Sequence, residues 1–208
     1  MNILIVAATE SEIAPFLKVA PLTDVLITGV GIPLTVFHLT KKLFEKNYDL
    51  AIQAGIAGTF DGCFQVEETV LVKEDTFADM GIDENGNFKT VFEAGLINDM
   101  AFPFEHGWLK NTHPLFKKSG LPAAAGVTVN KITDDDFTIK KMQQKFSAGI
   151  ETMEGAAFHY VCLCQKISFI QIRAISNVVG ERNKSKWKMK EAIKNLNTEL
   201  LNLIKTFK

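Results

Sequence analysis

Glu151-Thr152-Met153-Glu154-Gly155-Ala156-Ala157, an apolar run to Cys164, and then Ser168-Phe169-Ile170-Gln171-Ile172-Arg173-Ala174-Ile175-Ser176-Asn177 form the stretch that decides how this chain folds. Ala156, Ala157, Tyr160, Val161 and Cys164 recur at helical spacing, which predicts a helix beginning near Glu154. Phe169 to Ala174 is short, rich in apolar and β-branched residues and preceded by a polar break, which predicts a strand. In an α/β sheet, ligands bind at the carboxyl ends of strands. Glu154 at the helix start and Ser176-Asn177 at the strand's exit would then bring a carboxylate acceptor and an amide donor to one crevice. On spacing alone the same residues read first as a dipole-favouring acid and ordinary turn chemistry.

Working outward, Met1 to Ala8 reads as a buried strand and not a signal peptide, since no basic residues precede it and Thr9-Glu10-Ser11-Glu12 follows directly. Ile13, Phe16 and Leu17 open a helix. Asp24 to Thr28 is a second strand. Gly29-Val30-Gly31 follows, and Pro33 suits the first turn of a helix running to about Lys46. The glycines do not make a dinucleotide fingerprint, because the third is missing. Asp49 to Ala54 is a further buried strand, and Gly55-Ile56-Ala57-Gly58 follows it, either as backbone that a ligand can approach closely or simply as a tight strand-to-loop turn. Glu67 to Glu74 reads as a strand and Asp79 to Phe88 as a loop. Phe102 to Trp108 is an aromatic patch, either local packing or a subsite for an aromatic substituent. Ala125 to Val129 is a strand, and Asp134 or Asp135 caps the next helix. Lys184 to Lys190 is basic and contains Trp187; it is either the solvated start of the last helix or a lid. Ile193, Leu196, Leu200, Leu203 and Ile204 carry that helix.

Strands alternating with helices over 208 residues predict one α/β domain. The net charge of −1 gives no support to nucleic-acid or membrane-surface binding, and no apolar run approaches a membrane span. Cys63, Cys162 and Cys164 match neither a zinc site nor a disulfide framework, so a reducing cytoplasm is the simplest setting.

Met153-Glu154-Gly155-Ala156-Ala157 followed by Arg173-Ala174-Ile175-Ser176-Asn177 resembles the purine nucleoside phosphorylase and nucleosidase superfamily. Glu151-Thr152-Met153-Glu154-Gly155-Ala156-Ala157, with Ser176-Asn177-Val178-Val179-Gly180-Glu181-Arg182-Asn183 and a Trp such as Trp187, is similar to its futalosine hydrolase branch. The resemblance implies a mixed, strongly curved central sheet flanked by helices, a homo-oligomer (often a dimer), a small nucleoside as substrate and no metal or organic cofactor. It places Met153 and Glu154 on the ribose, with Thr152 beside them, and the ribose and nucleophile pocket at Gly55, Ile56 and Ala57. Asn130 and Ile132, as well as Ser176 and Asn177, fall toward the purine, and Trp187 in a lid. Glu12 matches the position that activates water; spacing alone leaves Glu10 as a competitor.

The chemistry is consistent with these types. Breaking an N-ribosidic bond builds positive charge on the sugar and negative charge on the base, as in glycoside hydrolysis. Ile56 stands where phosphorolytic members carry a hydroxyl, which favours water as the nucleophile. Asn177, where methylthioadenosine nucleosidases have Asp, points to a 6-oxopurine such as the hypoxanthine of futalosine. The expected reaction is hydrolysis of futalosine; the alternatives are a methylthioadenosine/S-adenosylhomocysteine nucleosidase, a 6-oxopurine nucleoside phosphorylase, or a non-catalytic nucleoside-binding module.

Overall fold

The computed structural model describes residues 1–114, 116 and 119–207. Along the chain run β1 (Ile3–Ala7), α1 (Glu10–Val19), β2 (Asp24–Ile27), α2 (Ile32–Glu45), β3 (Leu50–Thr59), β4 (Thr69–Phe77), β5 (Gly81–Glu84), β6 (Asn87–Thr90), β7 (Leu109–Lys110), β8 (Ala123–Thr128), α3 (Asp136–Phe146), β9 (Ile150–Thr152), α4 (Gly155–Cys164), β10 (Ser168–Val178) and α5 (Met189–Lys205). The expected α/β architecture holds.

β3 is the pivot. Its first half pairs in parallel with β1, which pairs in parallel with β2. Its last residues pair antiparallel with β9. Along its other side β3 pairs in parallel with β10 over its whole length. β10 also pairs antiparallel with β4, β4 runs parallel to β8, and β8 parallel to β9. The mixed sheet therefore closes on itself around β3, β10, β4, β8 and β9, with β1 and β2 as a parallel wing.

Successive strand residues face opposite sides of a sheet, and β1 distributes its side chains accordingly. Ile5 and Ala7 pack with Ile13 and Phe16 of α1 and with Leu196, Leu200 and Leu203 of α5. Leu4 and Val6 pack with Leu39 of α2 and with Phe158, Val161 and Cys162 of α4. Helices cover both faces, so the central strands read as nearly continuous apolar runs.

Three expectations change. Gly55 to Gly58 lies inside β3 and is not a turn, because β10 pairs with the strand through this segment. β10 likewise runs past Ala174, so Ser176 and Asn177 sit within it and not in a turn beyond it. Asp79 to Phe88 is mostly hairpin: Asn85 and Gly86, with φ of 54° and 77°, connect β5 and β6, as an Asn-Gly pair between strands favours.

Candidate active site

The carboxyl ends of β1, β3 and β10 and the start of α4 surround a cavity of about 320 Å³. Of the sequence-predicted residues, Glu12, Ile56, Ala57, Ile132, Thr152, Met153, Glu154, Ser176, Asn177 and Trp187 line it.

Thr9 and Glu12 form a capping box at the start of α1. The Thr9 N–H and hydroxyl both donate to Glu12 Oε2 at 2.9 Å. The Ile56 N–H donates to Oε1 at 3.1 Å, tying α1 to β3. A carboxylate offers about four acceptor positions, so Glu12 retains one for a molecule in the cavity. Glu10 is exposed and lies outside the lining, which separates the two acids that spacing left as competitors. Behind Glu12, the buried Asn197 of α5 is spliced into α1. Its Nδ2 donates to the Glu12 carbonyl at 2.8 Å, and its Oδ1 accepts from the Phe16 N–H at 3.0 Å.

Glu154 caps α4 from a buried position. The Gly31 N–H donates to its Oε1 at 3.0 Å, and Arg173 Nη1 lies 3.8 Å from its Oε2. Burial raises the Glu154 pKa, opposed by Arg173 and the Gly31 N–H; the nearby Glu12 raises it further. Arg173 is itself buried, donating to Gln53 Oε1 at 2.8 Å. Gly55 does not line the cavity; a Cβ there would lie 2.3 Å from Arg173 Nη1 and 3.0 Å from Glu12 Oε1. Its contribution is room for those side chains, not contact with a ligand.

A second buried layer supports the start of α4. The Thr128 hydroxyl donates to Asp75 Oδ1 at 2.9 Å and accepts from the Ala156 N–H at 2.7 Å. The Thr152 hydroxyl, 3.1 Å from that of Thr128, accepts from the Gly155 N–H at 3.1 Å. Side chains thus satisfy two of the N–H groups that a helix start leaves unpaired. Burial pushes the Asp75 carboxyl up to about 7.

At the other end of the cavity a β-bulge sets the geometry. Ile175 pairs with Ala57 but Asn177 with Gly58, so β10 carries one extra residue there. The Ser176 hydroxyl donates to Asn177 Oδ1 at 2.7 Å. With its oxygen engaged, Asn177 presents its NH₂ group, one hydrogen of which goes to the Val178 carbonyl at 2.9 Å. Trp187 closes one side, held by a bond from Nε1 to the Glu181 carbonyl at 2.7 Å.

Like Gly55, Asn130 does not reach the cavity, and of the two readings of the aromatic patch the packing one holds. Asn130 is turned away and bonded to Asp79 through its N–H at 2.6 Å and its Nδ2 at 3.1 Å, although Ile132 lines the site. The aromatic patch is packing: Phe104 contacts Phe92 and Tyr160, and Trp108 contacts Phe146, with none of the patch in the cavity lining. Among the described residues no group of His, Cys, Asp and Glu is arranged to hold a metal ion, and no helix is long and apolar enough to cross a membrane.

A sequence profile of the Phosphorylase superfamily matches residues 23–207. The chain belongs to the Phosphorylase superfamily. A futalosine hydrolase of Thermus thermophilus is 30% identical, the match covering 91% of this chain and 89% of that one. A 5′-methylthioadenosine/S-adenosylhomocysteine nucleosidase of Buchnera aphidicola is 26% identical, covering 85% and 72%. Among solved structures, the corresponding nucleosidase of Neisseria meningitidis, in complex with methylthio-immucillin-A, superimposes with a TM-score of 0.83 at 16% identity. That match covers 99% of this chain and 100% of that one, and it shows a shared fold.

Within this superfamily chain, sequence reasoning passed over two side chains. Arg173 was visible as a charge in the middle of an apolar strand, and a buried Arg demands a partner. Glu151 lines the cavity from β9, a strand of three residues. β9 is too short to show a period, so nothing local gave the facing of Glu151.

Proposed function

We propose that this N-glycosyl hydrolase acts on futalosine, releasing hypoxanthine and dehypoxanthine futalosine with water as the nucleophile, a step toward menaquinone. The observation that carries the reading is the orientation of Asn177: its oxygen lies toward Ser176, and of its two NH₂ hydrogens one goes to the Val178 carbonyl and the other is left for a ligand. A donor suits the O6 and N7 acceptors of a 6-oxopurine and stabilises negative charge arriving on the departing base. The similarity to the Thermus futalosine hydrolase supports the same substrate.

The roles follow from the environments. Glu12, with one acceptor position remaining, takes a proton from the attacking water. Glu154 accepts ribose hydroxyl protons and places negative charge near the oxocarbenium-like sugar. Met153 and Ala57 pack beside the sugar and base, and Trp187 covers them. Ile56 lies next to Glu12 and has no hydroxyl to donate to phosphate. We place the enzyme in the cytoplasm as a homo-oligomer, a dimer by preference, working on a free nucleoside without a cofactor and without nucleic-acid or membrane partners.

The second reading, a methylthioadenosine/S-adenosylhomocysteine nucleosidase, draws on the Buchnera relative. Asn177 disfavours it, because the adenine 6-amino group is a donor and meets an amide NH₂ poorly. Incubating the protein with futalosine, inosine and methylthioadenosine, with and without phosphate, tests the assignment. Hypoxanthine release from futalosine at an unchanged rate without phosphate is expected. An absolute phosphate requirement, or preferential release of adenine from methylthioadenosine, would overturn it.

A further inference from the structure

Glu151 lies in the cavity with no assigned role, and its surroundings are unusual. It pairs with Gly58 of β3 on one side and with Val127 of β8 on the other. On its far side Gly58 pairs with Asn177. Glu151, Gly58 and Asn177 therefore stand in one row across three adjacent strands, and all three line the cavity. The middle position has no side chain. A Cβ on Gly58 would lie 3.0 Å from Val179 Cγ2 and 3.5 Å from Asn177 Nδ2. The row is thus a slot about two strand spacings wide, roughly 10 Å between the outer backbones, with a polar side chain at each wall.

The two walls differ in polarity. Asn177 offers an NH₂ donor. Glu151 offers acceptors and is only 8% exposed, yet its Oε2 is buried without a hydrogen-bond partner among the described residues. Leaving a buried acceptor unsatisfied costs about 1–3 kcal/mol; no hydrogen bond among the described residues holds Oε1 either, so a small rotation of the carboxylate offers an oxygen to an N–H in the cavity. Burial, reinforced by the neighbouring Asp79 carboxylate, pushes the Glu151 carboxyl up to about 7. That is the mark of a carboxylate deprived of donors.

A 6-oxopurine has the complementary edge. N7 and O6 are acceptors, and N1 beside them carries a hydrogen. Adenine has no hydrogen on N1 and carries donors at the 6-position. We infer that Glu151 is a specificity-determining residue whose carboxyl oxygen accepts the N1–H of a 6-oxopurine lying over Gly58, while Asn177 meets the N7/O6 edge. The inference rests on the nucleosidase reading above and deepens it, because two side chains on opposite walls then read the base. An ionised Glu151 repels the lone pair on adenine N1, so the same residue that selects hypoxanthine rejects adenine.

The test uses free bases on the full chain, at mildly alkaline pH where the carboxyl is ionised. Affinities for hypoxanthine, 1-methylhypoxanthine and adenine are measured by calorimetry on the wild type, Glu151→Ala and Glu151→Gln, with thermal melts as the check on folding. In the wild type, N1-methylation should weaken binding roughly 10- to 100-fold, the range for a hydrogen bond to a charged group. Glu151→Ala should weaken hypoxanthine by a similar factor and leave 1-methylhypoxanthine unchanged, so that the preference collapses. Glu151→Gln, which can donate to N1 of adenine, should narrow the gap between the two natural bases. Equal binding of hypoxanthine and its 1-methyl derivative by the wild type would overturn the role of Glu151 while leaving the 6-oxopurine reading intact, and this comparison requires no variant to fold. Retention of the full preference by a folded Glu151→Ala would do the same. Tighter binding of adenine than hypoxanthine by the wild type would instead remove the substrate reading, and the inference with it.

Discussion

The two ends of the cavity are built on opposite principles. At the end proposed to take the sugar every carboxylate is held, and the other end is the one proposed to take the base. Glu12 accepts from three donors, Glu154 is fixed by the Gly31 N–H beside Arg173, and Asp75, Thr128 and Thr152 brace the helix start beneath. At the base end the polar groups are under-used. Glu151 Oε2 has no partner among the described residues, and Asn177 Nδ2 donates only to the next residue's carbonyl. Preorganisation suits the end where charge develops on a sugar common to all nucleosides, since donors and acceptors already in place need not reorganise during reaction. Unsatisfied groups suit the end where one base must be told from another, because a site built to pair with a particular edge penalises a ligand that leaves it unpaired.

Substitutions at the held end should have the largest effects. Glu12→Gln keeps the shape of the capping box but removes the base, so kcat should fall roughly 10²–10⁴-fold with KM little changed; steady-state kinetics on futalosine would measure it. Near-normal turnover in this variant would mean that the held carboxylate is only a brace. Arg173→Met leaves Glu154 as an uncompensated buried charge and should reduce stability by about 3–5 kcal/mol in urea titration. Adding Glu154→Gln should return part of that loss, and failure to do so would show that the two side chains are not energetically coupled.

Asp75 tests the same end through pH. Its carboxyl titrates near 7 in the folded protein because burial disfavours the charge, whereas in the unfolded chain it ionises near 4. Between those values the folded state binds the extra proton, so this group's contribution to stability is complete below about pH 4 and is lost as pH rises through 7. His159, buried and lowered to about 4, acts in the opposite sense, its contribution growing as pH rises from about 4 to 6.5. Asp75→Asn removes only the first effect. The variant should therefore gain on the wild type by about 4 kcal/mol between acidic and mildly alkaline pH, measured by denaturant melts at both. Parallel pH profiles would refute it.

The base end should answer more gently. Asn177→Ala should lower kcat on futalosine by roughly 10²–10³-fold, the range for one transition-state donor. Asn177→Asp should be similarly impaired at neutral pH and partly recover at lower pH, where the carboxyl can donate. A flat, wild-type profile for Asn177→Asp would place the discriminating contact elsewhere.

Much of this was legible from residues. The period of Ala156, Ala157, Tyr160 and Val161 located α4, and the acid before Gly155 fell at its cap as expected. Asp135 caps α3 by accepting from the Thr138 N–H at 2.8 Å. What escaped reading was set by tertiary pairing. Gly55 and Gly58 look like a turn until β10 is placed alongside, and the bulge that turns Asn177 exists only as a mismatch between two strands. Side chains whose direction depends on a neighbouring strand, such as Glu151, leave no local pattern.

The closure of the sheet through β3 and β10 has a consequence in time. Ser168 pairs with Leu50 and Val178 with Thr59, across the whole middle of the chain. Contacts so distant in sequence require a large loop to close before they give any return, which slows folding. On a ribosome, β1 to β3 emerge long before β10, and the edge of β3 that β10 will pair with keeps its backbone N–H and C=O groups unpaired until then. The strand that brings Asn177 is also the one that closes the sheet, so the cavity gains this wall in the same late step that completes the fold.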